Sequence, residues 1–366
     1  MRLWIAVLTA GCSTLALAST AQAQSLARHV TIEAQVTALY DDNVARSNDA
    51  VASARGINRG DTIISPSLVA DIYLPVSRQA VFLAGSVGYD DHQKNDILDA
   101  GRARLDGGIN LNVGLCQGAA TAGYGRAQSN LQDLDVGVTR NIETDVSEAL
   151  NLTCGRSVGL APTFGISHAS ADNTNTFLVP SDSRSTGYTY GISYRRPSLG
   201  VLTLFGRHDD TEYRHRQILV GSTLITDGYE QDSGGIRYDR HLGARIGGQI
   251  EIGYTDVKPD VPTLSDFKGL TYNAGIDFRV SSLLQTTLRL RHEVSATIRE
   301  GAAYSIDQTV ELGATYKAGS RLQFSGGVSQ GVSRYKGAAL GLANLTKEDL
   351  SAIFVSGRWD LGRRVA

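Results

Sequence analysis

The stretch "GLTYNAGIDFRV", residues 269–280, sets Leu270, Tyr272, Ala274, Ile276, Phe278 and Val280 at every second position. Gly269, Thr271, Asn273, Gly275, Asp277 and Arg279 fill the positions between. Successive side chains of an extended strand point to opposite faces, so this alternation predicts a strand with one apolar and one polar face. The next stretch, "LLQTTLRLRHEV" (283–294), repeats the pattern. Leu284, Leu288, Leu290 and Val294 oppose Gln285, Thr287, Arg289, Arg291 and Glu293. Ser281-Ser282 between the two is a hairpin-sized turn.

The same period runs through most of the chain. In "RARLDGGINLNVGL" (102–115), Leu105, Ile109, Leu111, Val113 and Leu115 face away from Arg104, Asp106, Asn110 and Asn112. "RIGGQIEIGYT" (245–255) and "SIDQTVELGATYK" (305–317) alternate alike. About sixteen such segments of roughly 10–14 residues are predicted, the length of membrane-spanning strands with exposed ends. Two places fit less well: "VLTLFGRHDD" (201–210) is apolar on both faces, and Glu148 falls on an apolar side.

Connections alternate between short and long. Cys116-Gln117, Pro197 to Gly200, Ser281-Ser282 and Ala318-Gly319 are short. Ala45 to Gly60, Ser170 to Ser183, Arg214 to Asp227, Lys258 to Asp266 and Gly337 to Thr346 are long. Tight periplasmic turns and longer external loops mark transmembrane barrels. A soluble sandwich also alternates, but at this length it should divide into domains, and no linker or low-complexity break interrupts the pattern. The expectation is an all-β, antiparallel up-and-down transmembrane β-barrel of about 16 strands.

The amino terminus agrees. Met1-Arg2, the apolar run "LWIAVLTAGCSTLALA" and Ala21-Gln22-Ala23 predict a signal peptide over 1–23, leaving 24–366 as one barrel domain. Cys12 in "GCS" would suggest a lipoprotein, but Thr9 replaces the usual Leu and the later Ala-x-Ala site fits better. No later stretch is long and apolar enough for a helical span. The formal net charge of −2 implies neither nucleic acid nor an anionic surface as partner. Cys116 and Cys154 both fall at periplasmic strand ends, read as two hairpin positions apart. A disulfide is expected there only if flexible turns close a gap of about 10 Å.

Aromatic residues followed by acids recur: "TALYDDNVAR" (37–46), "GYDDH" (88–92) and "RHDDTEY" (207–213). With the amino terminus on the periplasmic side, Tyr40, Tyr89, Tyr124, Tyr213, Tyr254 and Tyr335 lie near outer strand ends. They read as an interfacial girdle, with the acids as the first solvated residues beyond it. Those carboxylates could instead hold divalent cations shared with lipopolysaccharide, although their spacing matches no calcium loop.

"LYDDNV" (39–44), "GYTD" (253–256) and "DFKGLTYNAGIDFR" (266–279) resemble the β-barrel porin type 2 family, over essentially the whole mature chain. The resemblance implies an outer-membrane barrel associated with exopolysaccharide production and export. It supplies no catalytic residues.

The inward face predicted from parity carries Arg104, Asp106, Arg195, Arg237, Asp239, Arg245, Glu251, Asp277, Arg279, Arg289, Arg291, Glu293, Glu311 and Arg321. Such charges would favour polar solutes in a water-filled lumen, or would pair across strands and stiffen the wall. An enzyme reading rests on His168 and Ser170 in "GISHAS", two apart on a lipid-facing side, as in outer-membrane lipid acyl hydrolases. The Asn that usually follows that Ser is Ala171 here, and the sequence identifies no third, orienting residue. A third reading is a structural or adhesin-like barrel whose long loops bind a partner; the apolar segment "RHRQILVGSTLIT" (214–226) is either a loop hairpin extending above the membrane or a plug folding into the lumen. Phe354 and Trp359 read as apolar anchors of the last strand, although the chain continues to "GRRVA" and lacks a terminal aromatic residue. Expected partners are outer-membrane lipid, lipopolysaccharide, the barrel assembly machinery and polysaccharide export components. No nucleic acid, metal or cofactor is expected.

Overall fold

The computed structural model describes residues 3–4, 28–129, 140–242, 245–262, 264–297, 302–319, 322–336 and 347–359. The signal-peptide boundary after Ala23 lies outside them, as do Arg321 and the loop 337–346.

Sixteen long strands form one antiparallel sheet in chain order. They are β1 (His29–Asp41), β2 (Asp61–Val76), β3 (Gln79–His92), β4 (Ala100–Val113), β5 (Cys116–Gln128), β6 (Ile142–Cys154), β7 (Gly159–Asn173) and β8 (Ser183–Arg196). Then follow β9 (Gly200–Val220), β10 (Thr223–Leu242), β11 (Ile246–Pro259), β12 (Phe267–Arg279), β13 (Leu284–Ser295), β14 (Tyr304–Lys317), β15 (Leu322–Lys336) and β16 (Lys347–Trp359). Each strand pairs with the next, and the strand alternation read from the sequence sets the faces. Ile32, Leu204, Ile252, Leu270 and Leu312 are exposed on one side. The interleaved Arg, Asp, Thr and Ser residues occupy the other, which we call the inner face.

Every turn at one end of the sheet is tight. Gly114-Leu115 joins β4 to β5, and Gly114 adopts φ 62°, a left-handed conformation that glycine reaches without the clash a Cβ would cause. At the other end the loops are longer. The segment between β1 and β2 carries a short helix, α1 (Asp49–Ala54), whose N-cap Asn48 side chain accepts a hydrogen bond from the Val51 amide.

The structure corrects three expectations. Cys116-Gln117 is not a turn but the start of β5, so Cys116 lies directly opposite Cys154 on the neighbouring β6. The two are disulfide-bonded with Cα atoms 3.9 Å apart, and no wider gap has to close. The segment Arg214 to Asp227 is not an irregular connection but the far half of a hairpin built by β9 and β10, of 21 and 20 residues, which is the hairpin alternative for this stretch and not the plug. At about 3.3 Å per residue these strands measure roughly 70 Å, more than twice a bilayer core of about 30 Å, so the hairpin stands beyond it. Phe354 faces inward, where a Cβ on Gly327 would lie 2.7 Å from its ring.

The first and last strands flank Leu3–Trp4, which pair parallel with Val36 and Thr37 of β1 and antiparallel with Arg358 and Trp359 of β16. If processing removes this segment as the sequence predicts, β1 must pair with β16 directly. A Thr37→Cys/Arg358→Cys variant of the mature protein is therefore expected to form an intrachain disulfide. Faster electrophoretic migration of the denatured, non-reduced chain would report it, and reactive thiols at both sites in the folded protein would speak against direct closure.

Candidate functional site: the inner face and its outer mouth

The inner face is uneven. Along β7 and β8 it presents small residues, Thr163, Gly165, Ser167, Ser185, Gly187, Thr189 and Ser193. Along β9 to β14 it presents charge, because acids and bases fall on alternate residues of successive strands. Of the residues expected to point inward, Arg104 and Asp106 (β4), Arg195 (β8), Arg237 and Asp239 (β10), Glu251 (β11), Asp277 and Arg279 (β12), Arg289, Arg291 and Glu293 (β13) and Glu311 (β14) lie on this face by strand parity. Arg245 sits in the turn before β11, where its carbonyl accepts a hydrogen bond from the Arg279 amide.

Some of these charges pair. Arg237 Nε donates to Glu251 at 2.6 Å, and Arg207 approaches the same carboxylate at 3.9 Å. Both guanidinium groups lie over the Phe205 ring, at 5.6 and 5.9 Å. This explains the apolar residue on the polar side of "VLTLFGRHDD": Phe205 is 7% exposed and supports two arginines, a cation–π arrangement. Arg291 and Glu293 pair at 3.3 Å. Arg104 and Asp106 pair at 3.2 Å yet stay 66% and 57% exposed, so that part of the inner face is open to water.

Two small hydrophobic cores sit over the outer mouth. Ala45, Ala52 and Ile57 of the β1–β2 segment pack with Leu98 of the β3–β4 loop and Leu178 of the β7–β8 loop. These loops spring from strands well separated around the sheet, so they meet by folding inward. Buried Asp61 helps hold them, accepting from Asn95 Nδ2 at 2.7 Å and from the Lys94 amide at 3.0 Å. The second core joins Tyr213 and Tyr229 of the long hairpin to Val257, Ala303, Tyr304 and Ile306. Tyr213 Oη donates to the Ala303 carbonyl at 2.7 Å and accepts from the Thr297 amide at 3.1 Å, pinning the β13–β14 loop. Arg216 lies 3.8 Å over the Tyr213 ring and pairs with Asp227 at 2.6 Å, the latter side chain being only 3% exposed.

The tyrosines expected to form a girdle divide. Tyr40, Tyr89, Tyr124 and Tyr254 are exposed on the apolar outer face. Tyr213 faces inward and is fully buried. Tyr335 also lies on the inner side, donating to Glu348 at 3.0 Å. Position along a strand was legible for both residues, but the side was not argued from parity, which separates odd-numbered Tyr213 from its outward neighbours Leu202 and Leu204.

His168 and Ser170 share the outer face. Glu148, also on that face, lies directly across from His168, which accounts for an acid on an apolar side. His168 Nδ1 engages Thr186 Oγ1 at 3.1 Å. Among the described residues it makes no hydrogen bond to Ser170 or Glu148, so nucleophile, base and orienting acid are not joined here. Nor do any three His, Cys, Asp or Glu side chains among the described residues meet at metal-binding geometry.

The fold and its charged inner face define a porin-like β-barrel. The family described as Putative beta-barrel porin 2 matches residues 169–366, more than half of the chain, and the chain belongs to that family. No curated protein matches the chain. Among solved structures it is similar to the FrpB iron transporter from Neisseria meningitidis, at 10% identity and a TM-score of 0.44, covering 82% of this chain and 57% of that one. It is also similar to the anion-selective porin from Comamonas acidovorans, at 14% identity and a TM-score of 0.37, covering 91% and 99%. The chain thus spans little more than half the length of the iron transporter.

Two predictions follow from the mouth. Tyr213→Phe takes the hydroxyl donor from the Ala303 carbonyl, a cost of about 1–3 kcal/mol when such a group stays buried. Faster amide exchange and proteolysis confined to 296–303 are expected, with the strands unaffected. Beyond the end of β11, burial and then the carboxylates of Asp210, Glu230, Asp227 and Glu212 push the Asp260 carboxyl up to about 6. A raised carboxyl favours the folded state when protonated, so its contribution is complete below about pH 4, the unfolded value, and is lost as pH rises through about 6. Protection of the 260–266 loop should fall between those values, and Asp260→Asn should flatten the dependence in hydrogen exchange.

Proposed function

We propose that this protein is an outer-membrane channel of porin type, a passive conduit for polar or charged solutes, serving an exopolysaccharide pathway. The observation that carries the reading is the exposure of Arg104 and Asp106 on the inner face: an ion pair there stays solvated only where water has access. The barrel-porin family supports the same class. Mixed charges along β9 to β14 would present a transverse field to a passing solute, which favours polar over apolar cargo. The hydroxyl-lined arc of β7 and β8 suits a polyhydroxylated chain, since its side chains both donate and accept hydrogen bonds. The link to polysaccharide export rests on the association that the family resemblance implies.

The two loop cores over the mouth favour a second reading, a structural barrel plugged from outside. Planar-bilayer recording separates the two. Discrete conductance steps are expected, and Asp106→Arg should shift the zero-current potential in a salt gradient toward that of the anion. Silence from both the wild type and the Tyr213→Phe variant would support the plugged reading.

A further inference from the structure

Among the described residues the wall breaks between β12 and β13, where neither a turn, a proline nor a resumed register, as at the bulge between Glu212 and Gln217 of β9, explains it. Pairing between β12 and β13 runs from Arg279 opposite Gln285 up to Tyr272 opposite His292, and ends there. Above that level β12 pairs with β11 alone, and β13 with β14 alone. The interruption between β2 and β3 differs, because it falls at Pro66, which has no amide hydrogen to give. Between β12 and β13 lies a cleft of about 310 Å³ lined by Phe267, Gly269, Leu270, Tyr272, His292 and Gln308. Phe267 and Gly269 belong to the inner face and the other four to the outer face. One cleft touches both faces only where the wall is open.

This window has a frame and a back. At its lower edge the Tyr272 and His292 rings sit 5.3 Å apart, and Gln308 Nε2 donates to Tyr272 Oη at 3.2 Å. Above it, Tyr304 of β14 reaches past β13 to donate to the Ser265 carbonyl at 2.7 Å. Behind it, Phe267 and Val294 pack on the core of Tyr213, Tyr229 and Val257. Its height is fixed by Leu270, which lies opposite the outer-face tyrosine Tyr254 on β11. The window therefore opens where headgroups meet acyl chains.

Open strand edges facing lipid leave amides and carbonyls without partners, which hydrocarbon cannot supply. The protein covers one such group itself. A carbonyl only accepts, so the 2.8 Å contact between His292 Nδ1 and the Leu270 carbonyl places a hydrogen on Nδ1. The remaining edges call for an occupant that is apolar below and carries donors and acceptors above. Lys258 on the outer side of β11 adds positive charge at the same level, while Lys268 of β12 pairs with Asp256 at 2.9 Å.

We propose that this window is a binding site for an outer-leaflet glycolipid bearing amides, hydroxyls and phosphate. Its acyl chain lies along Leu270 and Phe267, and its amide and hydroxyl groups complete the strand edges. The proposal rests on the outer face meeting a membrane and not on conduction through the lumen.

Photolabelling in nanodiscs tests it. A phospholipid with a diazirine on its acyl chain should label both the belt, around Leu288 and Leu312, and the window, at 267–272 and 293–295. Lipopolysaccharide added in rising ratio should protect the window before the belt. Leu270→Trp, which fills the cleft, should abolish that difference, with heat-modifiable migration confirming that the variant folds. Window and belt protected in parallel, or a window never labelled, would overturn the site. No labelling on the belt would instead overturn the membrane reading on which it stands.

Discussion

The backbone of a membrane-spanning sheet can find hydrogen-bond partners only in itself. In water an unpaired strand edge is a liability, and in hydrocarbon it is prohibitive. That constraint explains why sixteen strands run up and down in chain order with nearly every edge paired to its neighbour. It also singles out two places where neighbouring strands part other than the Pro66 interruption and the bulge between β9 and β10. At one, Leu3–Trp4 lie between β1 and β16. At the other, a histidine imidazole stands in for a backbone partner at the Leu270 carbonyl.

A single sheet of this kind has no continuous core between layers to hold it, since its apolar outer side chains stay exposed and its inner face carries charge. Cohesion on the inner face comes instead from lateral pairs such as Arg237–Glu251 and from arginines resting on Phe205. Where apolar side chains do gather inside, they gather at the mouth, under inward-folded loops. The same loops that give the molecule its buried residues thus narrow its opening. Buried packing is therefore concentrated at one end of the sheet, in the long loops and not at the tight turns.

Much of the fold was legible because a strand's two faces obey a period of two, and "GLTYNAGIDFRV" obeys it without exception. The number of strands and the side on which each charged residue falls by parity follow from that rule, and the up-and-down order follows from the short connections. What escaped the sequence depends on register and on how far each strand runs. Cys116 was read as a turn residue because Gly114-Leu115, the true turn, adjoins it, and that error of two positions separated two cysteines that are cross-strand partners. The apolar residues of 214–226 are compatible with either a tall hairpin or an inward plug, and only the pairing of β9 with β10 decides between them. Tyr213 was assigned to the girdle by height alone, whereas its parity sets it inside. The cleft beside Leu270 leaves no trace in composition, since it is made by pairing that stops.

The bond between Cys116 and Cys154 has a topological effect. It joins the base of β5 to the base of β6, so the whole excursion between those cysteines forms a covalent ring. A protease that cuts the chain between Cys116 and Cys154 yields two fragments that this disulfide still joins. Such a nick leaves both strands tethered at their roots, so the hairpin keeps its pairing and its place in the sheet.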